Sequence, residues 1–492
     1  MSELFVVRNA HVFAPEDLGV RDILCAGGRI VALEPELDVG TLTVPALDAD
    51  GRRVVPGMVD GHVHIIGGGG GEGYDSRIPE LWAGELAAAG ITTVVAPPGL
   101  DMVTKNLEGL LAKTYALENE GLSAYMMVGG FQRPFRTVTG SLRRDIYTIK
   151  KIIGVKIALG ETRASRFRKR ELVELAARLH WLSGFTGKAC LLHAHLGEAE
   201  HPAAQLVHTM RTSGVPPHRF QATHCNFTPD TMQAAEEVAR HGGYVDFNPI
   251  LTPEFGHPWA VSVVPAILRS LAAGIDDRLV TMTTDGNASV PMLLADGTRG
   301  AYEKSLNWLW RAVVDLVREG VALPRALSFV TVNPARALGL ESRKGHIRVG
   351  ADADLVVIGS DMAIEHVIAR GRHLVDGGRP AIMSLYEPGR HRPRARVREP
   401  AAVRNRRRQP WRNSHRTPVC NTNKIPHSTL RSSNRLRPGW CLRRSTFGSS
   451  GSIRSHRLSA PIHEGCSPLG TRPRHTPTSR HVAPHPHRDR RR

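Results

Sequence analysis

The chain has 492 residues, enough for one large core with material to spare. A formal charge of +19 suits a nucleic-acid binder, but residues 388–492 hold 25 Arg and one Lys against three acids, while residues 1–387 hold 39 basic and 43 acidic residues. The body is therefore mildly acidic with a basic tail, and six cysteines without a CxxC pair argue against a disulfide scaffold or zinc ribbon.

The start, MSELFVVRNAHVF, lacks a basic segment followed by an apolar one, so no secretory leader is expected. No apolar run approaches the ~20 residues of a membrane span, and a cytoplasmic, non-membrane protein is expected. Residues 1–55 are strand-like throughout, with LFVVRNAHVF, RDILCAGGRIVAL and RRVVPGM as short β-branched runs between turns. Residues 345–380 read the same way. The two flanks, 1–55 and 339–387, are expected to form one discontinuous small β-sandwich domain.

Between them, over 56–338, strand and helix patterns alternate. Strands are expected at 54–64, 91–96, 123–129, 153–159, 189–195, 220–224, 243–247 and 279–284. PELWAGELAAAG, YEKSLNWLWRAVVDLVREG and TPDTMQAAEEVARHGG read as helices, the last with Thr228 as N-cap and Gly242 as stop. The pattern is α/β, a (β/α)8 TIM-like barrel, whose active site forms at the C-terminal strand ends. The tail, 388–492, is rich in Arg, Pro and Ser and is expected to be disordered. It reads either as unselected translated sequence, such as a read-through or shifted frame, or as an arm that binds nucleic acid.

The expected strand ends collect chemistry. His62 and His64, at i and i+2 of a strand, point to one face and can share a metal ion. Five glycines follow them, Gly67 to Gly71, suited to close backbone approach to a ligand. Lys156 lies inside the apolar IGVKIAL, where burial disfavours its charge. The fifth strand ends in His193-Ala-His195, the sixth in His224, and the eighth places Asp285 at the rim.

This set resembles the two-metal form of the amidohydrolase superfamily. The flanks HVHIIGGGGGEG, RTVTGS, GVK, Arg163 and TDGNAS are similar to its isoaspartyl dipeptidase (beta-aspartyl peptidase) branch, over residues 3 to 387. The resemblance implies two divalent ions, zinc by default, and a carbamate made from CO2 on Lys156. It assigns His62, His64, Lys156 and Asp285 to one ion, and Lys156, His195 and His224 to the other. It makes Asp285 the catalytic proton carrier, and Glu72, Arg163 and Ser289 substrate contacts. The implied substrate is a dipeptide joined through the aspartate side chain, and the implied assembly a homo-oligomer. His193 is then an accessory or core residue.

The match departs in the substrate shell. A tyrosine expected to donate to the oxyanion is Phe131, and an expected arginine is Phe227. An expected threonine is Leu100, and the glutamate closing the glycine loop comes one place late, with Gly71 in its position and Glu72 after it. The expectation is a working two-metal amide hydrolase with a more apolar pocket, whose substrate has moved from β-aspartyl dipeptides. A cyclic amidase or N-acyl amino acid amidohydrolase of the hydantoinase or dihydroorotase kind is the neighbouring reading. A deaminase fits less well. An inactive binding protein, with the tail engaging nucleic acid, is the reading from another class.

Overall fold

The computed structural model describes residues 4–388 apart from 72, 289–290, 294–298 and 303. The tail expectation therefore lies outside the described residues.

Eight parallel strands run in sequence order around a nearly closed barrel: Met58–Asp60, Ile91–Ala96, Ser123–Gly130, Ile152–Leu159, Leu191–Leu196, Phe220–Thr223, Tyr244–Phe247 and Val280–Met282. They are buried on both faces, as their Val, Ile, Ala and Met content requires. Helices pack outside them through one large apolar cluster. Helix Pro229–Arg240 shows how locally this is written. The Thr228 hydroxyl accepts from Thr231 N at 3.1 Å, Pro229 occupies the first turn, and Gly242 takes φ +82° just past the end. Helices Ala83–Ala88 and Trp308–Arg318 fall inside the other two expected segments.

The flanks build a separate nine-stranded sheet with its own core, including Val7, Val12, Ile23, Ile30, Leu355 and Val357. Here the structure corrects the expectation of one strand over 54–64. Arg53–Pro56 pairs with Leu355–Ile358 in the flank sheet, and Met58–Asp60 begins the barrel. Gly57 is the switch between the two sheets. A Cβ there would lie 2.2 Å from Thr92 Oγ1, so only glycine lets the chain cross so close to the second barrel strand.

The first and last barrel strands meet at the rim. Val63 and Gly286 form an isolated parallel bridge, and His64 N donates to Gly286 O at 2.8 Å. Among the described residues no helix is long and apolar enough to cross a membrane.

Candidate metal centre

His62 and His64 sit just beyond the first barrel strand rather than within it. Their loop is fixed by Asp60, which accepts from His62 N at 3.2 Å and from the Thr284 hydroxyl at 2.6 Å. One buried carboxylate thus ties the histidine pair to the residue before Asp285. His224 follows its strand at once, Asp285 stands three residues past Met282, and both take left-handed backbone, φ +65° and +48°. Non-glycine residues rarely adopt this, and such strain gathers at functional sites.

The side chains converge. Asp285 Oδ1 lies 3.3 Å from His62 Nε2 and 3.2 Å from His64 Nε2. The candidate ligand atoms of these three buried residues all lie within 4.8 Å of one another. Lys156, fully buried in the fourth strand, brings Nζ to 3.1 Å from His62 Nε2. The His224 ring stands 5.3 Å from that of His62 and 4.4 Å from that of His195, centroid to centroid. All six expected ligands are therefore on one rim.

Hydrogen bonds decide which nitrogens are free. Gln221 Nε2 donates to Thr281 Oγ1 at 3.0 Å, so Gln221 Oε1 faces His193 Nδ1, 2.9 Å away, as acceptor. His193 Nδ1 carries the proton, and its Nε2 accepts from His62 Nδ1 at 3.0 Å. The His62 Nε2 lone pair is left aimed at Lys156 and Asp285. By the same logic Asn248 Oδ1 takes the proton of His224 Nδ1 at 2.7 Å and frees Nε2. Asn248 is itself fixed by donating to Thr283 Oγ1 at 2.9 Å. Asp246, on the seventh strand, accepts from the hydroxyls of Thr223, Thr281 and Thr283.

The electrostatics agree with neutral ligands. Burial pushes His62, His64, His195 and His224 below the ordinary imidazole value. Burial also lowers Lys156 to about 8, which leaves a substantial fraction as free amine. His195 Nδ1 is buried without a hydrogen-bond partner among the described residues, and Asp285 Oδ1 lies against the imidazoles of His62 and His64. Lone pairs gathered this tightly are costly unless a cation lies among them. The donor set, imidazole nitrogens with one carboxylate and a lysine, fits divalent ions of the zinc type.

A cavity of about 160 Å³ opens over the cluster, lined by Gly68, Gly69, Leu100, Phe131, Glu161, Arg163, His195, Phe227, His257 and Asp285 among others. The glycine loop packs closely against the chain that follows it. Gly67 takes φ +81°, and a Cβ there would strike Ile78 O at 2.1 Å. Phe131 packs edge-on to His195, with centroids 5.1 Å apart, and Lys156 Nζ lies 5.3 Å from its ring centre. Arg163 is on the cavity wall but its side chain is 58% exposed, paired with Glu161. Glu72 and Ser289 lie outside the described residues. Gln221, Asn248, Asp246, Glu161 and His257 were not singled out from the sequence. A charge inside the apolar strand YVDF was the one signal available, for Asp246.

Residues 147–374 match the model of the amidohydrolase family. The beta-aspartyl dipeptidase of Fervidobacterium islandicum AW-1, solved in complex with a beta-Asp-Leu dipeptide, is 30% identical with a TM-score of 0.71, over 78% of this chain and 100% of that one. The dihydroorotase of Halobacterium salinarum is 27% identical over 412 residues, 73% of this chain and 88% of that protein. Adenine deaminase 3 of Rhizobium meliloti is 25% identical over 390 residues, 76% of this chain but 58% of that protein, so the chain spans less than two thirds of the deaminase. Fold, rim cluster and matches together define a metal-dependent amidohydrolase. Within that class the chain belongs to the beta-aspartyl dipeptidase branch of the amidohydrolase family.

Proposed function

We propose that the chain hydrolyses the amide bond of a dipeptide or related N-acyl amino acid, using two zinc-type ions and a carbamylated Lys156. His62, His64, Lys156 and Asp285 would hold one ion, and Lys156, His195 and His224 the other. When bound, such ions supply Lewis acidity and an acidified water at neutral pH. The observation that carries the reading is the convergence of His62, His64 and Asp285, whose candidate ligand atoms lie within 4.8 Å of one another, with Lys156 Nζ 3.1 Å from His62 Nε2.

Asp285 takes the proton of the attacking water and delivers it to the leaving nitrogen. Its carboxylate sits against both His62 and His64, within reach of anything in the cavity. Lys156 reacts as free amine with CO2, which its lowered basicity favours. Arg163 offers the guanidinium for a substrate carboxylate, and Glu72 and Ser289 are assigned to the same shell by resemblance. Phe131, Phe227 and Leu100 present carbon where polar groups would grip a second charged end. We therefore place the preferred substrate away from β-aspartyl dipeptides and towards a less charged amide. The cyclic-amide reading rests on the same apolar wall and on the dihydroorotase relative.

We also assign 1–55 with 339–387 to a discontinuous small domain and 56–338 to the catalytic barrel. A cytoplasmic homo-oligomer is the setting proposed for it.

The test uses the zinc-loaded full chain prepared with bicarbonate. Amine or ring-opened product is followed from β-aspartyl dipeptides, α-dipeptides, N-acyl amino acids and cyclic amides, with Lys156→Ala as control. Turnover of a less charged amide above β-aspartyl-leucine, lost in the control, is expected. Equal or better cleavage of β-aspartyl-leucine would end the substrate argument. Absence of bound metal would end the proposal altogether.

A further inference from the structure

Glu161 stands two residues past the fourth barrel strand, and nothing in the metal or substrate assignments uses it. Its side chain is only 9% exposed. A carboxylate buried to that extent needs partners on its oxygens, and it has one on each. Oε1 accepts from Arg163 Nε at 2.9 Å. Oε2 lies 3.5 Å from His195 Nε2. The other nitrogen of that ring, Nδ1, is buried and has no partner among the described residues.

A neutral imidazole carries one proton. A carboxylate beside Nε2 selects the tautomer protonated there and leaves the Nδ1 lone pair facing inward. The other histidines solve the same problem with neutral acceptors, His193 for His62 and Asn248 for His224. Only His195 among these three uses an anion, and the same anion holds the substrate-side arginine. The guanidinium and the imidazole are thereby joined through three atoms of one side chain, Oε1, Cδ and Oε2. A movement of Arg163 towards a substrate carboxylate would be felt at His195.

We propose that Glu161 is a positioning residue with two charges in hand: it fixes the His195 tautomer for the second ion and holds Arg163 over the cavity. The inference rests on the reading above that His195 is a metal ligand. Carboxylates behind a ligating imidazole commonly change metal affinity about 10–100-fold.

The test measures zinc per chain after gel filtration, and zinc loss to a chelator, for the full-length wild type, His195→Ala, Glu161→Ala and Glu161→Gln. His195→Ala is the reference for the underlying reading: if it keeps both ions as firmly as wild type, that reading fails, whatever Glu161 does. With two ions in wild type and one in His195→Ala, Glu161→Ala is expected to hold one ion firmly and to lose the other at least tenfold more readily. Glu161→Gln keeps the volume and one acceptor oxygen, so it should fall between them and guards against a folding artefact. Two ions held as in wild type by both Glu161 variants would overturn the proposal. So would equal loss of both ions, because the contact is to His195 alone.

Discussion

His193 Nε2 stands 3.0 Å from His62 Nδ1, and it is this contact, with no ligand role of its own, that turns His62 towards the metal position. The HAH sequence at the end of the fifth strand therefore splits its labour. His195 faces the cavity, and His193 props His62, a proposed ligand from the loop after the first strand. Replacing His193 by Phe keeps an aromatic ring, somewhat larger, but removes the acceptor. Zinc affinity should fall about 10–100-fold while the fold persists, as read by chelator competition beside a circular dichroism spectrum. Unchanged affinity would mean that His62 needs no fixed tautomer.

Phe131 offers a second experiment. Its ring touches the space between His195 and Lys156, where a tyrosine hydroxyl would point into the cavity. Phe131→Tyr should raise kcat for β-aspartyl-leucine, by up to about 100–1,000-fold if a single oxyanion donor is what is missing. A change confined to KM would assign the position to ground-state binding instead.

The pH dependence of the metal-free protein should carry the mark of Asp246. Burial raises its carboxyl from 3.8 to about 7, against the pull of three threonine hydroxyls. Its folded value lies above its unfolded one. The stability it contributes is therefore full below about pH 4 and is lost as pH rises through about 7. Urea denaturation of the metal-free chain should show a falling limb there that Asp246→Asn flattens. A limb of equal slope in the variant would assign it to other groups.

A simpler change tests the helix behind the sixth strand. Thr228→Ala removes the hydroxyl that accepts from Thr231 N, and should cost about 1 kcal/mol in urea unfolding. Zinc content should not move, since no hydrogen bond of Thr228 reaches the rim.

Much of this architecture was legible because a barrel has a simple rule: what ends a strand reaches the rim. His62, His64, Lys156, His193, His195, His224 and Asp285 could be gathered as candidates from the alternating pattern, and the family resemblance was needed to choose His195 over His193 and to give the set its roles. Gln221, Asn248 and Glu161 could not, because an orienting residue obeys no spacing. Its meaning lies in a partner on another strand, 28 residues away for Gln221 and 24 for Asn248. The break at Gly57 was hidden for a different reason. Both sheets bury apolar residues, so VVPGMV reads as one run although it serves two cores.

The bridge between Val63 and Gly286 joins residues 223 positions apart. His62 and His64 flank one side of it and Asp285 the other, so the seam that joins the first and last strands also brings together the residues proposed for the first ion. A growing chain on the ribosome cannot assemble that site until its eighth strand has emerged and found its first. A molecule trapped with seven strands docked would present His62 and His64 without their aspartate, so the first of the two proposed ions, and not the one assigned to Lys156, His195 and His224, would report on finished folding.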